Sequence, residues 1–205
     1  AAGDEAAALF SNRGALARYR SAASFAEPGD PILFEIAEKA GDVEARLGHM
    51  EAAIEAWQSC LEHHRAEGAV EQAAEMHRKI AAALVHQGRR DAAIKQLQRG
   101  IHMVKGRPAS PALARLFSEA ATLYMQVGAH MLAVYAAERA LSFAQELGDA
   151  RAASRAYGIY GRVFGRIGDT AKARESLDRA VEVIRDRDPQ ETVIALFAAA
   201  RNLES

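Results

Sequence analysis

Three arginines near the carboxyl end of the chain have a spacing that could bind an anion. Arg155, Arg162 and Arg166 are separated by seven and four residues, so a helix of about 3.6 residues per turn carries them on one stripe. A guanidinium group is planar, stays charged and presents several N–H donors, which suits carboxylates and phosphates. The stripe therefore predicts a site for acidic groups, with a solvated basic helix face as the alternative.

The residue types of metal and covalent-catalysis sites are present without the spacing that such sites need. The seven histidines include the neighbours His63 and His64, and none has the i, i+4 partner of a helical zinc site. The single cysteine, Cys60, fits a core position as a small hydrophobic residue. Gly158, Gly161 and Gly165 are attributed to close helix packing, because the chain has no phosphate-binding glycine motif. We expect no metal, no cofactor and no enzymatic activity.

Regularly spaced glycines indicate the elements that must position these side chains. Intervals of 20 residues, with one of 40, separate Gly48, Gly68, Gly88, Gly128, Gly148 and Gly168. The omitted position falls at Pro108, two residues after Gly106. Because glycine readily adopts the left-handed conformation that ends a helix, the pattern predicts a series of helices joined by short turns. No segment alternates with the period of a strand.

Every second predicted helix repeats the same core pattern. Alanines recur every 40 residues at Ala53, Ala93, Ala133 and Ala173. Four residues later come Trp57, Leu97, Ala137 and Leu177. Seven residues later come Cys60, Gly100, Ala140 and Ala180. These offsets lie on one helix face, so they predict a tightly packed interhelical core.

With these positions the chain resembles the tetratricopeptide repeat family. When repeats are numbered from residues 34, 74, 114 and 154, the small eighth positions are Gly41, Ala81, Ala121 and Gly161. His77 occupies a fourth position and is expected to pack between helices, whereas Ala37 and Glu44 depart from the pattern of the family. The resemblance implies an all-α fold, a right-handed α-solenoid of tandem antiparallel helix pairs.

The resemblance implies one array over residues 1–205. Its predicted parts are a partial leading repeat (1–30), four full repeats (34–73, 74–113, 114–153 and 154–193) and a capping helix (194–205). Residues 4–10 are expected to be a remnant of the leading pair, and Ala15, Leu16, Tyr19 and Ala22 to belong to its second helix. Ile194, Phe197 and Ala200 are expected to pack on the last pair. Repeats of about 40 residues resemble those of large bacterial regulators, so we expect a segment of such a protein.

In the resembled family, the first helix of each pair lines a concave groove that holds a partner. The predicted partner-binding residues are Glu35, Glu38, Asp42, Arg78, Arg115, Ser118, Thr122, Arg155, Arg162 and Arg166. Lys79 and Ile159 are expected to be exposed on the same helices. The lining changes from acidic to basic, which favours a partner with an acidic segment opposite the arginines. No three consecutive repeats carry the Lys, Asn and Arg set with which one subset of the family clamps a terminal carboxylate.

Composition limits the function classes. A net charge of −1 argues against nucleic acid and anionic membranes as partners, and no apolar run approaches the roughly 20 residues of a membrane span. One cysteine suits a reducing, cytoplasmic compartment. We expect a scaffold that binds another protein or peptide. A domain that senses a small molecule and a helical-repeat RNA-binding protein stay open as alternatives, and self-association is undecided.

Overall fold

The computed structural model describes residues 12–27, 30–185 and 188–203, and the regular secondary structure in those ranges is entirely α-helical. The all-α class and the tandem helix pairs are therefore confirmed. The chain divides into two compact units, unit 1 (residues 1–103) and unit 2 (residues 104–205). The predicted remnant at residues 4–10 lies outside the described residues.

Unit 1 contains five described helices, each packed on the next one along the chain. They are α1 (Asn12–Ala23), α2 (Ile32–Arg46), α3 (Met50–Ala66), α4 (Val70–His86) and α5 (Arg90–Met103). Turns of three residues join α2 to α3, α3 to α4 and α4 to α5, and such short connections make neighbouring helices antiparallel.

Unit 2 also contains five described helices with sequential packing, and α8 additionally contacts α6 and α10. They are α6 (Pro111–Gln126), α7 (His130–Glu146), α8 (Ala150–Arg166), α9 (Thr170–Ile184) and α10 (Pro189–Leu203). Ser110 accepts a hydrogen bond from the N–H of Leu113 (3.2 Å) and caps α6. Asp149 caps α8 in the same way through Ala152 (2.9 Å).

The glycine turns have the conformation that the sequence predicts. Gly48 has a φ of +86° and Gly106 one of +78°, values that side chains with a Cβ rarely adopt. After Gly48, the N–H of His49 donates to the carbonyl of Glu44 (2.9 Å) and closes the end of α2.

The small-residue positions are tightly packed. Ala53, Ala93 and Ala133 are completely buried. A Cβ on Gly161 would lie 2.7 Å from Leu177 Cγ and 3.0 Å from the carbonyl oxygen of Ala173, so this glycine permits the close contact of α8 with α9. The same explanation is wrong for Gly158, where a Cβ would meet no atom within 4 Å, and Gly165 is exposed.

Two chemically reactive side chains are confirmed as parts of the core. His77 is buried, and its Nδ1 lies 2.6 Å from Gln96 Oε1. Burial lowers the pKa of His77. The thiol of Cys60 donates to the carbonyl of Phe34 (3.2 Å), and burial raises the pKa of Cys60 to about 11. A thiol held protonated at neutral pH is a poor nucleophile.

Glu44, which departs from the family pattern, has an electrostatic role inside unit 1. The residue is buried, and Glu44 Oε1 accepts a hydrogen bond from Arg20 Nη2 (3.1 Å). Its other carboxylate oxygen lies 2.7 Å from His49 Nδ1. A buried carboxylate is tolerated when it is paired in this way. Because Arg20 lies on α1 and Glu44 on α2, the ion pair links these two helices.

The terminal helices agree with the sequence in part. Ala15, Leu16 and Tyr19 are buried against Val43, as expected, whereas Ala22 is exposed.

The expected packing of Ile194 and Phe197 is wrong, since these side chains are 58% and 67% exposed. Helix α10 instead packs through the small side chain of Ala195 on Val181 and Ile184, which turns the larger residues toward solvent.

Candidate functional site: the first-helix surfaces

The predicted acidic residues of unit 1 are engaged by a cation of the same unit. Lys79 Nζ on α4 lies 2.8 Å from Glu38 Oε1 and 2.6 Å from Asp42 Oδ1, both on α2. The side chain of Lys79 is only 11% exposed, so the expectation that it is exposed is wrong. Its aliphatic stem and ammonium group lie between the two helices because the carboxylates there compensate for its desolvation.

Trp57 completes this cluster from α3. Its indole N–H donates to Asp42 Oδ1 (3.1 Å), and Lys79 Nζ lies 5.8 Å from the centroid of its ring. A cation at this distance interacts favourably with an indole face. The signal that could have identified the cluster is the presence of a lysine on one first helix and two carboxylates on the preceding one.

The other two predicted residues of unit 1 are also paired along their own helices. Glu35 Oε1 lies 3.0 Å from Lys39 Nζ one turn later. Arg78 donates through Nε and Nη2 to the two carboxylate oxygens of Glu75, at 2.9 and 2.8 Å. All four predicted binding residues of unit 1 therefore have partners of opposite charge, and this surface is internally neutralised.

In unit 2 the predicted residues lie on α6 and α8, which contact each other. Arg115 is exposed on α6, while Ser118 and Thr122 are half-buried. The Thr122 hydroxyl donates its proton to the Ser118 carbonyl one turn earlier (3.2 Å). A ligand could therefore use this hydroxyl only as an acceptor while that bond is in place.

The arginine stripe, Arg155, Arg162 and Arg166, runs along α8. Arg155 and Arg166 are exposed and Arg162 is half-buried. Ile159 lies on the same stripe but is only 8% exposed, so the expectation that it is exposed is wrong. Arg155 and Arg162 interact with other groups of the chain, and an acidic ligand would share or replace those contacts. This part of unit 2 can offer several guanidinium groups to one extended anionic segment.

Neither a metal centre nor a membrane span is found within the described ranges. No three His, Cys, Asp or Glu side chains of residues 12–27, 30–185 and 188–203 gather closely enough to hold a metal ion. His63 instead stacks on Phe34, with ring centroids 3.9 Å apart. Among the described helices, none combines the length and the apolar character that crossing a bilayer requires.

Comparisons with known proteins agree with this geometry. Residues 154–187 match the model of the tetratricopeptide repeat. Curated protein sequences give no match. The solved structure of BtubC (BKLC) from P. vanneervenii is 22% identical, with a TM-score of 0.76, and the alignment covers 90% of this chain and 77% of that one.

Two further solved structures share the fold. A putative kinesin light chain of Podosopora anserina with nearly identical TPR-like repeats is 13% identical, with a TM-score of 0.74, over 90% of this chain and 93% of that one. The Rap conjugation gene regulator of plasmid pLS20, in complex with the Phr* peptide, is 16% identical, with a TM-score of 0.65, over 98% of this chain and 62% of that one. The family model therefore covers one repeat of the chain, and the solved structures show that the chain shares their fold.

Proposed function

We propose that this chain is a protein-interaction scaffold that binds an acidic peptide segment on α6 and α8 of unit 2. The observation that carries the proposal is the arginine stripe of α8, together with Arg115 on the contacting helix α6. Guanidinium groups spaced along one helix face suit the carboxylates of an extended segment. The half-buried residues Ser118 and Thr122 follow Arg115 on one face of α6.

The predicted binding residues of unit 1 already have internal partners of opposite charge. Lys79 neutralises Glu38 and Asp42, and Arg78 is held by Glu75. A partner would have to displace these internal contacts to bind Glu38, Asp42 or Arg78. Among the predicted acidic residues of unit 1, Glu35 is the exposed one, and its pair with Lys39 is solvent-screened.

The wider biological setting is part of the same proposal. The fold is one in which function depends on the surface that the repeats present, and the Rap regulator of similar fold was solved with a peptide. We propose a cytoplasmic role as the interaction array of a larger bacterial regulatory protein.

Selection from a random peptide display library tests the proposed site, because such a library does not require an identified partner. The immobilised chain should enrich peptides with clustered Asp and Glu, and the R155E/R162E variant should fail to retain them. The matched control is R89E/R90E, which changes the net charge equally at two exposed residues of unit 1. Selected peptides without acidic enrichment, or equal retention by R155E/R162E, would contradict the proposed site.

A further inference from the structure

Unit 2 has a cleft of about 440 Å³ between the end of α7, the start of α8 and the end of α9. Its polar lining consists of Gln145, Asp149, Tyr157 and Glu182. Ala153 and Val183 are among its apolar lining residues. The volume falls within the range of small-ligand sites, roughly 300–1,000 Å³, so the cleft has room for one side chain of a partner.

The cleft is separate from the arginine stripe, although both use α8. Tyr157 lies two residues after Arg155, which corresponds to about 200° around a helix. Arg162 and Arg166 return to the side of Arg155, so the stripe and Tyr157 occupy opposite faces. A ligand in the cleft therefore makes its contacts independently of an acidic segment on the stripe.

The polar groups of the cleft are mostly hydrogen-bond acceptors. Gln145 Nε2 donates to the Tyr157 hydroxyl oxygen (3.2 Å), an arrangement that still allows Gln145 Oε1 to accept. Asp149 Oδ1 accepts a hydrogen bond from the N–H of Ala152 (2.9 Å) and so caps α8. The cap does not use the other carboxylate oxygen of Asp149. The described lining residues include no Lys or Arg.

Arg179 contacts the lining residue Glu182 and Arg151 follows the lining residue Ala150 in the chain, but neither arginine lines the cleft itself. Arg179 lies 2.9 Å from Glu182, but the two side chains are 56% and 65% exposed. Such a pair is strongly screened by solvent and exchanges easily. Arg151 is paired with Asp188. The carboxylate of Glu182 can therefore rotate to a cationic ligand at little cost.

We infer that this cleft binds the guanidinium group of an arginine side chain presented by a partner protein. The planar group has five N–H donors at fixed angles, which suits acceptors that are spread over Asp149, Gln145 and Glu182. The alanine and valine side chains provide apolar walls for the methylene stem of the arginine. Unit 2 thus carries two recognition surfaces of opposite charge preference.

The test is an NMR titration of the full ¹⁵N-labelled chain with the peptide acetyl-Gly-Arg-Gly-amide. Its matched ligand control is the same peptide with citrulline, which keeps the shape of arginine and removes the charge. The arginine peptide should bind weakly and saturably, with shifts concentrated at the amides of Gln145, Gly148, Tyr157 and Val183. Absence of binding at millimolar peptide, equal binding of citrulline, or shifts centred elsewhere would overturn the inference.

Paired variants connect the binding to the cleft. D149N/E182Q removes both charges, and asparagine caps helices about as well as aspartate. The dissociation constant of the arginine peptide should rise roughly fivefold or more, as expected for losing two exposed charge contacts. The control E175Q/D178N removes the same charge from exposed positions of α9 and should bind like wild type.

The remaining comparisons separate this inference from the proposed function. The variant R155E/R162E should bind the arginine peptide normally even though it loses acidic peptides. If D149N/E182Q melts at a lower temperature than wild type, the single variant E182Q at an exposed residue replaces it. Unchanged binding by a folded variant overturns the assignment of the cleft, whatever the outcome at the arginine stripe.

Discussion

The ammonium group of Lys79 lies 2.6 Å from a carboxylate oxygen of Asp42 and links α4 to α2 within unit 1. Glu38 contacts the same ammonium group at 2.8 Å, and the Trp57 indole N–H donates to Asp42. A nearly buried cation and two half-buried carboxylates compensate each other here, so the residues that the sequence suggests as a binding surface also stabilise the fold.

Replacing Lys79 with methionine should lower the stability of unit 1. The change keeps most of the apolar stem but leaves Glu38 and Asp42 without their shared cation. We expect a loss of about 1–3 kcal/mol in the free energy of unfolding, at the lower end because both carboxylates retain access to water. Urea denaturation followed by circular dichroism measures it. Lys95→Met, at an exposed position of α5, is the control, and an equal midpoint for the two variants would contradict the role of Lys79.

The sequence predicts this fold well because its core pattern is periodic. The offsets of Ala53, Trp57 and Cys60 mark a single helix face, and all three residues are buried. Such one-dimensional information does not depend on the tertiary structure. The division into 40-residue repeats and the capping role of residues 194–205 stay predictions.

The surface was harder to predict because it depends on side-chain partners. The helical spacing of Glu38 and Asp42 cannot reveal that Lys79 folds back onto them from a later helix. Likewise, Ile159 shares a stripe with exposed arginines and is nevertheless buried. The cleft has no sequence signal of its own, since its residues come from three helices and the turn between α7 and α8, and its shape depends on how those helices pack.

Two glycines of α8 should respond oppositely to alanine. At Gly161 the new Cβ would clash with Leu177 and the Ala173 carbonyl, so we expect a loss of roughly 1–3 kcal/mol from overpacking. At Gly158 the Cβ would meet nothing within 4 Å, and alanine should stabilise the helix by up to about 1 kcal/mol. Each variant is the control for the other in thermal denaturation. A stabilising Gly161→Ala would show that α8 and α9 are less closely packed than described.

The orientation of α10 can be tested by two substitutions two residues apart. Ala195→Asp places a charge against Val181 and Ile184 and should cost about 1–3 kcal/mol. Phe197→Ser changes a side chain that is 67% exposed and should alter stability by less than about 0.5 kcal/mol. Chemical denaturation of both variants decides the matter. A larger loss of stability from Phe197→Ser than from Ala195→Asp would show that Phe197 packs on the last helix pair, as the sequence suggests.

Stability should fall as the pH drops from 7 to 5.5, in part because of His77. Burial lowers the pKa of His77 below its ordinary value of 6.5 in the folded state. The unfolded chain therefore takes up a proton at a pH where the folded chain does not, and stability is fully present above about 6.5 and lost as the pH falls below it. The pKa of His64 is lowered by burial as well and adds to the effect.

Urea midpoints at pH 7 and 5.5 measure this dependence for the wild type and for His77→Gln. Glutamine can still bond to Gln96 but does not titrate, so the variant should lose less stability between the two pH values. His102→Gln, at an exposed position of α5, is the control and should behave like wild type. An identical pH dependence in wild type and His77→Gln would exclude His77 as a contributor.

The rate of association with an acidic peptide should depend steeply on ionic strength if the arginine stripe recognises the peptide. The stripe carries like charges on one helix face, with Arg155 and Arg166 exposed, and exposed charges steer the encounter and affect the association rate more than the lifetime of the complex. In physiological salt they are screened within about 8 Å, so raising the salt should slow wild-type association markedly. The variant R155E/R162E should associate much more slowly at low salt, and its deficit should shrink as salt rises.

Surface plasmon resonance at two salt concentrations, with an acidic peptide from the display selection, reports both rates, and circular dichroism verifies the fold. R89E/R90E should follow the wild type closely. Wild-type association that does not depend on salt, or a folded R155E/R162E variant with unchanged rates, would move the site away from α8.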